Sequence, residues 1–361
     1  MPVGWDILLR HLSHHSYLSC APGPGALPTL GPLGRLLLRN LTALWRRDVE
    51  LGLNVPVVPA ALPDRLIGDP AQSLTDSLAA LHAAQASLHL TPPFGVTLER
   101  PAAGPLTPPE QLEATPPPAD APPTAGGHLS LVLAVPPADA PDWHQTLQRR
   151  RRIWWRDLAD DPGNYSLAQS SPDDAQVLFD RRLPVERLRS HGLHAIEGAG
   201  ETQEAHVFTC ELCLQSALYS VCGDALDAGA LRLQERLAPY RRAVPSRHDW
   251  PEELRALALH ISNQLRSSGV SVFPLPEEMP AEGEEDQSNS EEAQRDGERT
   301  NASSTVEEPW LAAPLRSSDG AGVPLTVLLS ERTLQDGVCR LRSRDTSLSH
   351  QVHVSQITDG G

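Results

Sequence analysis

The sequence predicts an α/β fold, of the α+β kind, in which helices pack on mixed β-sheets. The C-terminal third carries the clearest evidence. Short runs rich in apolar residues at 237–244, 270–273 and 325–329 are typical of buried strands, and the apolar stripe of residues 251–268 indicates an amphipathic helix. Two strand-like runs within residues 338–354 flank turn-forming residues and indicate a hairpin. This order is typical of a compact domain with a mixed sheet.

At 361 residues the chain is long enough for two or three domains. We predict a first domain at residues 1–235, with a surface loop rich in proline and alanine at residues 101–127. A second domain is expected at residues 236–361. The acidic, low-complexity segment at residues 276–309 is expected to be a disordered insert within it.

The first domain is predicted to alternate helices and strands. Ile7, Leu8 and Leu12 indicate a short N-terminal helix, and leucines at helical spacing after Gly31 indicate a longer one. The pattern then predicts, in order, a strand-like stretch at 51–59, a helix at 73–90, strands at 94–98 and 128–135, helices at 143–158 and 183–190, strand-like runs at 206–221, and a turn and helix at 223–236.

The formal net charge is −16, but it is unevenly distributed. Residues 277–308 contain twelve acidic residues and two arginines, so this segment alone carries a charge of −10 and the rest of the chain −6. Overall acidity therefore does not exclude a nucleic-acid partner. Every basic residue other than histidine is arginine, whose planar guanidinium group binds phosphate through two hydrogen bonds.

The predicted helix at residues 143–158 combines an arginine cluster with two tryptophans, Trp154 and Trp155. One interpretation is a DNA-binding surface, because clustered arginines neutralise backbone phosphates. The other, more usual for a charged run on an amphipathic helix, is a solvated basic face with the tryptophans buried behind it. The candidate DNA-binding residues are Arg149, Arg150, Arg151, Arg152 and Arg156.

A second set of arginines, Arg340, Arg342 and Arg344, lies in the predicted hairpin. If strand alternation continues through Arg344, all three side chains project from one face and form a candidate patch for docking a partner. The alternative is an ordinary solvated strand face.

Five cysteines, an odd number in a long chain, argue against a disulfide framework and for a reducing compartment. His206, Cys210, Cys213 and Cys222 have spacing compatible with half of a zinc site. The segment between them is apolar and strand-like, which favours core cysteines, and no metal is expected. No apolar run approaches the ~20 residues that span a bilayer, so no membrane association is predicted.

The common signatures of P-loop and dinucleotide-binding proteins, serine hydrolases and zinc proteases do not occur in the sequence. Three other segments resemble one family. LLSERTLQDGVCRLRSRDT at residues 328–346, GPLGRLLLRNLTALW at 31–45 and the strand-to-helix segment with Trp-Trp-Arg at 131–166 are similar to the accessory, processivity-conferring subunits of mitochondrial DNA polymerase gamma. The resemblance runs discontinuously over nearly the whole chain.

The resemblance implies a degenerate domain like class II aminoacyl-tRNA synthetases, followed by an anticodon-binding-like domain. It also implies a protein without catalytic activity or cofactor that docks on the catalytic polymerase subunit. Such a protein strengthens the hold on double-stranded primer-template DNA and acts in the mitochondrial matrix. No mitochondrial presequence pattern is evident at the N-terminus, which is poor in arginine.

A working class II aminoacyl-tRNA synthetase of the glycyl or prolyl type, or a tRNA-binding paralogue, is the competing hypothesis. Catalysis there needs an Arg-x-Glu strand, but residues 97–100 read Thr-Leu-Glu-Arg, with the order reversed. The chain also departs from the polymerase-subunit pattern. The segment before the Pro-Phe-Gly strand is short, which leaves a homodimer open, and the acidic insert replaces a helix expected between residues 272 and 325.

Overall fold

The computed structural model describes residues 4–19, 27–60, 71–100, 105–113, 127–197, 202–275 and 309–357. The chain divides into two compact units, Met1–Pro239 (unit 1) and Tyr240–Gly361 (unit 2). None of the described helices is long and apolar enough to cross a membrane.

The described helices of unit 1 bury apolar stripes at the spacing that the sequence predicts. Pro32 lies in the first turn of the longest of them, where its missing N–H leaves no hydrogen bond unmade. The buried residues Leu37, Leu41, Trp45 and Val49 recur every four positions along it. In chain order the helices are α1 (Trp5–His14), α2 (Pro32–Leu51), α3 (Ala71–Leu88), α4 (Pro109–Glu113), α5 (Ala140–Leu158) and α6 (Leu214–Ala225).

A seven-stranded sheet forms the centre of unit 1. Its strands are β3 (Val57–Pro59), β4 (Phe94–Arg100), β5 (His128–Val135), β6 (Tyr165–Ser171), β7 (Asp174–Phe179), β8 (Leu183–Glu197) and β9 (Thr202–Cys213). The strand order is β3-β4-β5-β9-β8-β7-β6, and only the β3–β4 pair is parallel. The described part of the unit also contains two short antiparallel pairs: β1 (Leu18–Ser19) with β2 (Thr29–Leu30), and β10 (Leu226–Asp227) with β11 (Ala230–Leu231).

Helices cover both faces of this sheet. Leu81 and Ala84 of α3 pack in one apolar cluster with Val132 and Val207. Leu212 faces the opposite side of β9 from Val207, because side chains alternate along a strand. Glu186 of β8 pairs with Leu212 and therefore shares that second face, where α2 and α5 lie.

Unit 2 is a smaller mixed sheet packed between helices. Its described helices are α7 (Glu252–Ser267), α8 (Ala312–Gly320) and α9 (Glu331–Asp336), and its described strands are β12 (Arg242–Ala243), β13 (Val272–Phe273), β14 (Leu325–Leu328), β15 (Val338–Ser343) and β16 (Ser349–His353). The order β13-β12-β14-β15-β16 has parallel pairs at β12 and antiparallel pairs through the hairpin.

Two apolar clusters hold unit 2 together, one on each face of its sheet. Ile261 and Leu265 of α7 pack with Val327 and Leu341. On the other face, Leu315 of α8 packs with Leu328, which alternates with Val327 along β14. Beside this second cluster, the indoles of Trp250 and Trp310 meet edge to face with centroids 5.3 Å apart.

The mixed sheets confirm the predicted α/β class, but several elements differ from the prediction. Residues 183–190, predicted as a helix, form the start of β8. An extra residue there opposite β7 breaks the regular alternation. Residues 214–221 belong to α6 rather than to a strand, and residues 223–236 contain β10 and β11 but no helix beyond the end of α6. The Pro/Ala-rich segment contains α4, while residues 276–308 lie outside the described residues.

The sequence led us to expect that the acidic insert replaces the helix between residues 272 and 325. This expectation is wrong, because a helix does lie in that interval. This helix, α8, follows the acidic segment and packs on the sheet. Ser330 also begins a short helix, α9, that was not predicted. The Ser330 hydroxyl accepts a hydrogen bond from the backbone N–H of Thr333. In return, the Thr333 hydroxyl accepts one from the backbone N–H of Ser330.

Candidate nucleic-acid interface

The arginine cluster lies on α5, which the sequence places at residues 143–158 and the structure at Ala140–Leu158. Its buried residues include Leu147, Arg151, Trp155 and Leu158, which recur at intervals of four, four and three positions. Arg151 therefore occupies a position of the apolar stripe. Its three arginine neighbours in the sequence point elsewhere, because successive residues turn by about 100° around a helix.

Arg151 is fully buried and forms two ion pairs. Its Nε lies 2.9 and 3.0 Å from the two carboxylate oxygens of Glu186, and its Nη1 lies 2.5 Å from Oδ2 of Asp48. Glu186 is itself only 1% exposed. A buried charge is tolerated when it is paired and hydrogen-bonded, and removing one partner leaves the other uncompensated.

Indole groups complete the surroundings of this buried pair. The Nε1 groups of Trp45 and Trp155 donate to the two oxygens of Glu186 at 3.0 and 2.7 Å. The Arg151 guanidinium also lies 4.4 Å from the ring centroid of Trp154, a cation–π distance. One carboxylate on β8 thus joins α2 and α5 to the sheet.

Arg150 fixes the C-terminal end of α2. Its guanidinium donates to the Asp48 carboxylate, with Nη2 2.5 Å from Oδ1, and to the carbonyl oxygen of Gly52. Arg150 and Arg151 are therefore structural residues. Their guanidinium groups bind partners inside the unit, which leaves Arg149, Arg152 and Arg156 as the members of the cluster that face solvent more freely.

Arg149 and Arg152 are exposed, Arg156 is half-buried, and none of the three forms an ion pair with a described residue. They lie at positions i, i+3 and i+7 of α5 and so share one side of the helix over about 10 Å. They border a surface groove of about 380 Å³. The groove is lined by Gln145, Gln148, Arg149, Arg152, Ile153, Arg156 and Leu167. We call Arg149, Arg152 and Arg156 the arginine face; within the described part of the chain, no carboxylate pairs with its positive charge.

Histidines border the groove without adding charge near pH 7. Gln148 is hydrogen-bonded to His144, and the rings of His144 and His206 both stack on Phe208. Burial lowers the pKa of both histidines below the usual value. The charge of this surface thus comes from the guanidinium groups. Sequence reasoning missed this cluster, since its members come from separate elements with no shared motif.

The segment between α5 and β6 is fixed by Asp224 of α6. Its carboxylate accepts from the backbone N–H of Asp160 at 2.6 Å and from the side-chain amide of Asn164 at 2.7 Å. Burial raises the pKa of Asp224 to about 6, with these hydrogen bonds acting in the opposite direction. The contact positions the end of the arginine face relative to β6.

The second arginine set does not form an exposed patch. Arg342 is 6% exposed, and its Nη1 lies 3.1 Å from both carboxylate oxygens of Asp319 on α8. Arg344 is 7% exposed, donates to the carbonyl oxygen of Gly322 and pairs with Asp345. The three side chains therefore do not form one exposed face, because contacts with α8 and the residues after it bury Arg342 and Arg344. Arg340 is half-buried and forms no ion pair with a described residue.

The possible zinc ligands do not converge in the described part of the chain. Cys210 and Cys222 are fully buried, and burial raises the pKa of both thiols far above the usual value. His206 is instead hydrogen-bonded to Ser190. The described histidines, cysteines and acidic residues contain no group of three that would hold a metal ion.

No protein-family model matches the chain, but individual curated proteins do. The protein named DNA polymerase subunit gamma-2, mitochondrial, from Drosophila melanogaster is 27% identical over 259 residues, which cover 64% of this chain and 65% of that protein. Proteins named DNA polymerase subunit gamma-2 from Bos taurus and Mus musculus are 24% and 25% identical, again over 64% of this chain, but over 49% and 51% of their own length.

The chain thus spans between about half and two thirds of the length of the curated relatives that it matches. The matches confirm the resemblance that the sequence motifs indicated: the chain is related to the proteins named DNA polymerase subunit gamma-2.

Proposed function

We propose that this chain is a non-catalytic accessory subunit of a mitochondrial DNA polymerase. It binds the catalytic polymerase subunit and primer-template DNA and thereby raises processivity. The observation that carries the proposal is the similarity, over 64% of the chain, to proteins named as subunits of this polymerase. The names of the Drosophila and Xenopus relatives support the mitochondrial location, which we extend to the matrix.

The physical basis of the proposed activity is multivalent binding. A subunit that holds both the polymerase and the DNA raises the effective concentration of one near the other. It therefore slows dissociation of the polymerase from the template, so that more nucleotides are added in each binding event. This role requires no catalytic group and no cofactor in the accessory chain.

In this proposal residues 1–235 are a degenerate domain like class II aminoacyl-tRNA synthetases, and residues 236–361 are an anticodon-binding-like domain. The second domain docks on the catalytic subunit. Of its three candidate docking arginines, Arg340 alone keeps a guanidinium without an ion pair to a described residue. A homodimer is compatible with the proposal and is decided by measuring the molar mass in solution.

The proposed DNA contact is the arginine face of α5. Arg149, Arg152 and Arg156 would each neutralise a backbone phosphate, which contributes affinity without sequence preference. The neighbouring Arg150 and Arg151 support this face from below through Asp48 and Glu186 rather than by touching DNA.

The subunit role is tested by co-purification and primer extension. The chain should co-purify with the catalytic subunit of the polymerase. It should also lengthen the products made in a single binding event, measured with excess trap DNA present. The proposal would be overturned if the chain did not associate with the catalytic subunit and did not lengthen the products. ATP–pyrophosphate exchange with any amino acid would overturn it in favour of a tRNA synthetase.

The DNA contact is tested by the salt dependence of duplex binding. The triple variant R149Q/R152Q/R156Q should bind more weakly, and its slope of log K against log salt should flatten by about 2.7, or 0.9 for each lost phosphate contact. The matched control R39Q/R47Q/R181Q removes three other exposed arginines that lie outside the groove. An unchanged slope in the first triple variant would remove α5 from the DNA interface.

A further inference from the structure

The outer edge of β6 has no described partner strand. In the seven-stranded sheet, β6 is the last strand and pairs on one side only, with β7. Its register is regular from Tyr165 to Gln169 and shifts only between Gln169 and Ser171. Free strand edges are usually blunted by charge, proline or a bulge, but the regular part of β6 contains no charged residue and no proline.

The groove beside α5 lies over this free edge. Leu167 of β6 is the one lining residue that does not belong to α5. Tyr165, two positions earlier and on the same strand face, stacks on Trp155 of α5 with ring centroids 5.3 Å apart. The face of β6 that carries Tyr165 and Leu167 is therefore the face beneath α5.

A strand added to the edge of β6 would place alternate side chains under the arginine face. Residues directly opposite each other on paired strands project from the same face, so the residue opposite Leu167 would point into the groove. Same-face residues repeat about every 6.8 Å along a strand. Arg149 and Arg152 are separated by about 4.5 Å along the helix axis, and Arg152 and Arg156 by about 6 Å, which is comparable to the spacing of alternate side chains on a strand.

The lining of the groove defines the chemistry of such a strand. Three guanidinium groups without described ion pairs favour a strand with acidic side chains at the alternate positions that point into the groove. Ile153, which is 46% exposed, and Leu167 supply apolar surface between them. A nucleic-acid backbone could reach the guanidinium tips, but it would leave the hydrogen-bonding groups of the β6 edge unused.

We propose that the groove between α5 and β6 binds an extended acidic segment of a protein partner. The segment adds to the free edge of β6 as an additional strand and places alternate carboxylates on Arg149, Arg152 and Arg156. The proposal rests on the proposed function in one respect: such a segment competes with DNA for the arginine face and so regulates the DNA contact.

The direct test is fluorescence anisotropy with a labelled seven-residue peptide of alternating Glu and Val, matching the seven residues of β6. Unmodified protein should bind it, and R149Q/R152Q/R156Q should bind it about tenfold more weakly, because three exposed ion pairs are lost. The control R39Q/R47Q/R181Q should bind like the unmodified protein. Circular dichroism verifies that both variants are folded.

A second peptide separates strand pairing from simple charge attraction without altering the protein. It has the same sequence, with the backbone amides of one strand edge N-methylated. The methylated peptide keeps every carboxylate but loses its donors, so its binding should be severalfold weaker. Equal binding of the two peptides, or no binding of the first, would overturn the inference.

Competition with duplex DNA distinguishes this inference from the proposed function. The unmodified peptide should displace the duplex, and the methylated one should do so less effectively. DNA binding without peptide binding would contradict the inference and leave the DNA contact intact. Peptide binding without DNA binding would support the docking groove and contradict the DNA contact.

Discussion

The two arginine clusters differ because one lies on a helix and the other on a strand, so that their side chains point in different sets of directions. On α5, consecutive arginines turn around the helix, so that Arg151 enters the core, Arg150 reaches α2, and Arg149 and Arg152 face solvent. On β15, Arg340 and Arg342 alternate and share one face. That face is covered by α8, which carries Asp319.

A run of adjacent arginines on a helix therefore divides between structural and exposed roles within a single turn. Arginines at alternate positions of a strand share one face, and a distant segment determines which of them it buries: Asp319 binds Arg342, whereas Arg340 stays half-buried. The first division follows from local periodicity, whereas the second depends on a tertiary contact. Substitutions in both clusters test this difference.

The largest effect is expected for Arg151→Met. It leaves the Glu186 carboxylate buried without its cation, which should lower the free energy of unfolding by about 3–5 kcal/mol. Urea denaturation monitored by tryptophan fluorescence measures this loss. The double variant R151M/E186Q should recover part of it, because the substituted amide carries no charge and its oxygen still accepts from one indole, while its NH2 group faces the other indole donor. A loss below ~1 kcal/mol in the single variant would show that the buried pair is not structural.

A smaller effect is expected for Arg342→Met in unit 2. Asp319, whose side chain is 18% exposed, keeps part of its hydration when its partner is removed. We expect a loss of about 1.5–3 kcal/mol, the usual contribution of a hydrogen bond to a charged group. The exposed Arg332 of α9 provides the control, R332Q. If R342M is as stable as R332Q, the packing of α8 on the sheet does not depend on the ion pair between Arg342 and Asp319.

Asp224, which fixes the segment after α5, should produce a pH-dependent effect because burial disfavours its charged form. Its pKa is raised from 3.8 to about 6 in the folded chain, so the folded state binds the proton more tightly than the unfolded state does. The stabilisation from protonation is complete below pH ~4 and is lost as the pH rises through about 6.

The variant D224N should lack this contribution. Relative to D224N, the unmodified protein should lose stability between pH 4 and pH 6, on the order of 1–2 kcal/mol. Melting curves of both proteins, recorded at several pH values in this range, measure the difference. If the stability of the two proteins changed with pH in the same way, the raised pKa would be contradicted.

The smallest effect on stability is expected for Arg152→Gln, one position away from the largest. Arg152 is exposed and forms no ion pair with a described residue, so the free energy of unfolding should change by less than about 0.5 kcal/mol. Comparing R152Q with R151M in the same denaturation assay gives the sharpest contrast within α5. If both variants lost a similar amount of unfolding free energy, the division of α5 into a structural Arg151 and an exposed Arg152 would be contradicted.

Long periodic elements were predictable from the sequence, and irregular or short ones were not. Residues 32–51, 140–158 and 252–267 show clear apolar stripes, and all three are helices at nearly the predicted bounds. The strand β8 escaped prediction because its bulge buries the adjacent pair Val185 and Glu186. The helix α9 is too short for a periodic signal and depends on its capping contacts.

The candidate site was predictable in position but not in detail. The arginine cluster could be located on α5, and the spacing of Leu147, Arg151 and Trp155 contained the signal that Arg151 is buried. The identity of its partner Glu186 could not be inferred, because that contact joins residues 35 positions apart on different elements. The covering of Arg342 likewise depends on Asp319, 23 positions earlier.

The edge-to-face tryptophan pairs give each unit an internal optical reporter. Trp154 and Trp155 meet with centroids 5.1 Å apart in unit 1, and Trp250 and Trp310 with centroids 5.3 Å apart in unit 2. Indoles this close couple electronically and give a paired band in circular dichroism. Trp310→Phe removes the pair in unit 2, so that the remaining paired band reports on Trp154 and Trp155 of unit 1. The folding of unit 1 can then be followed in the intact protein without an added dye.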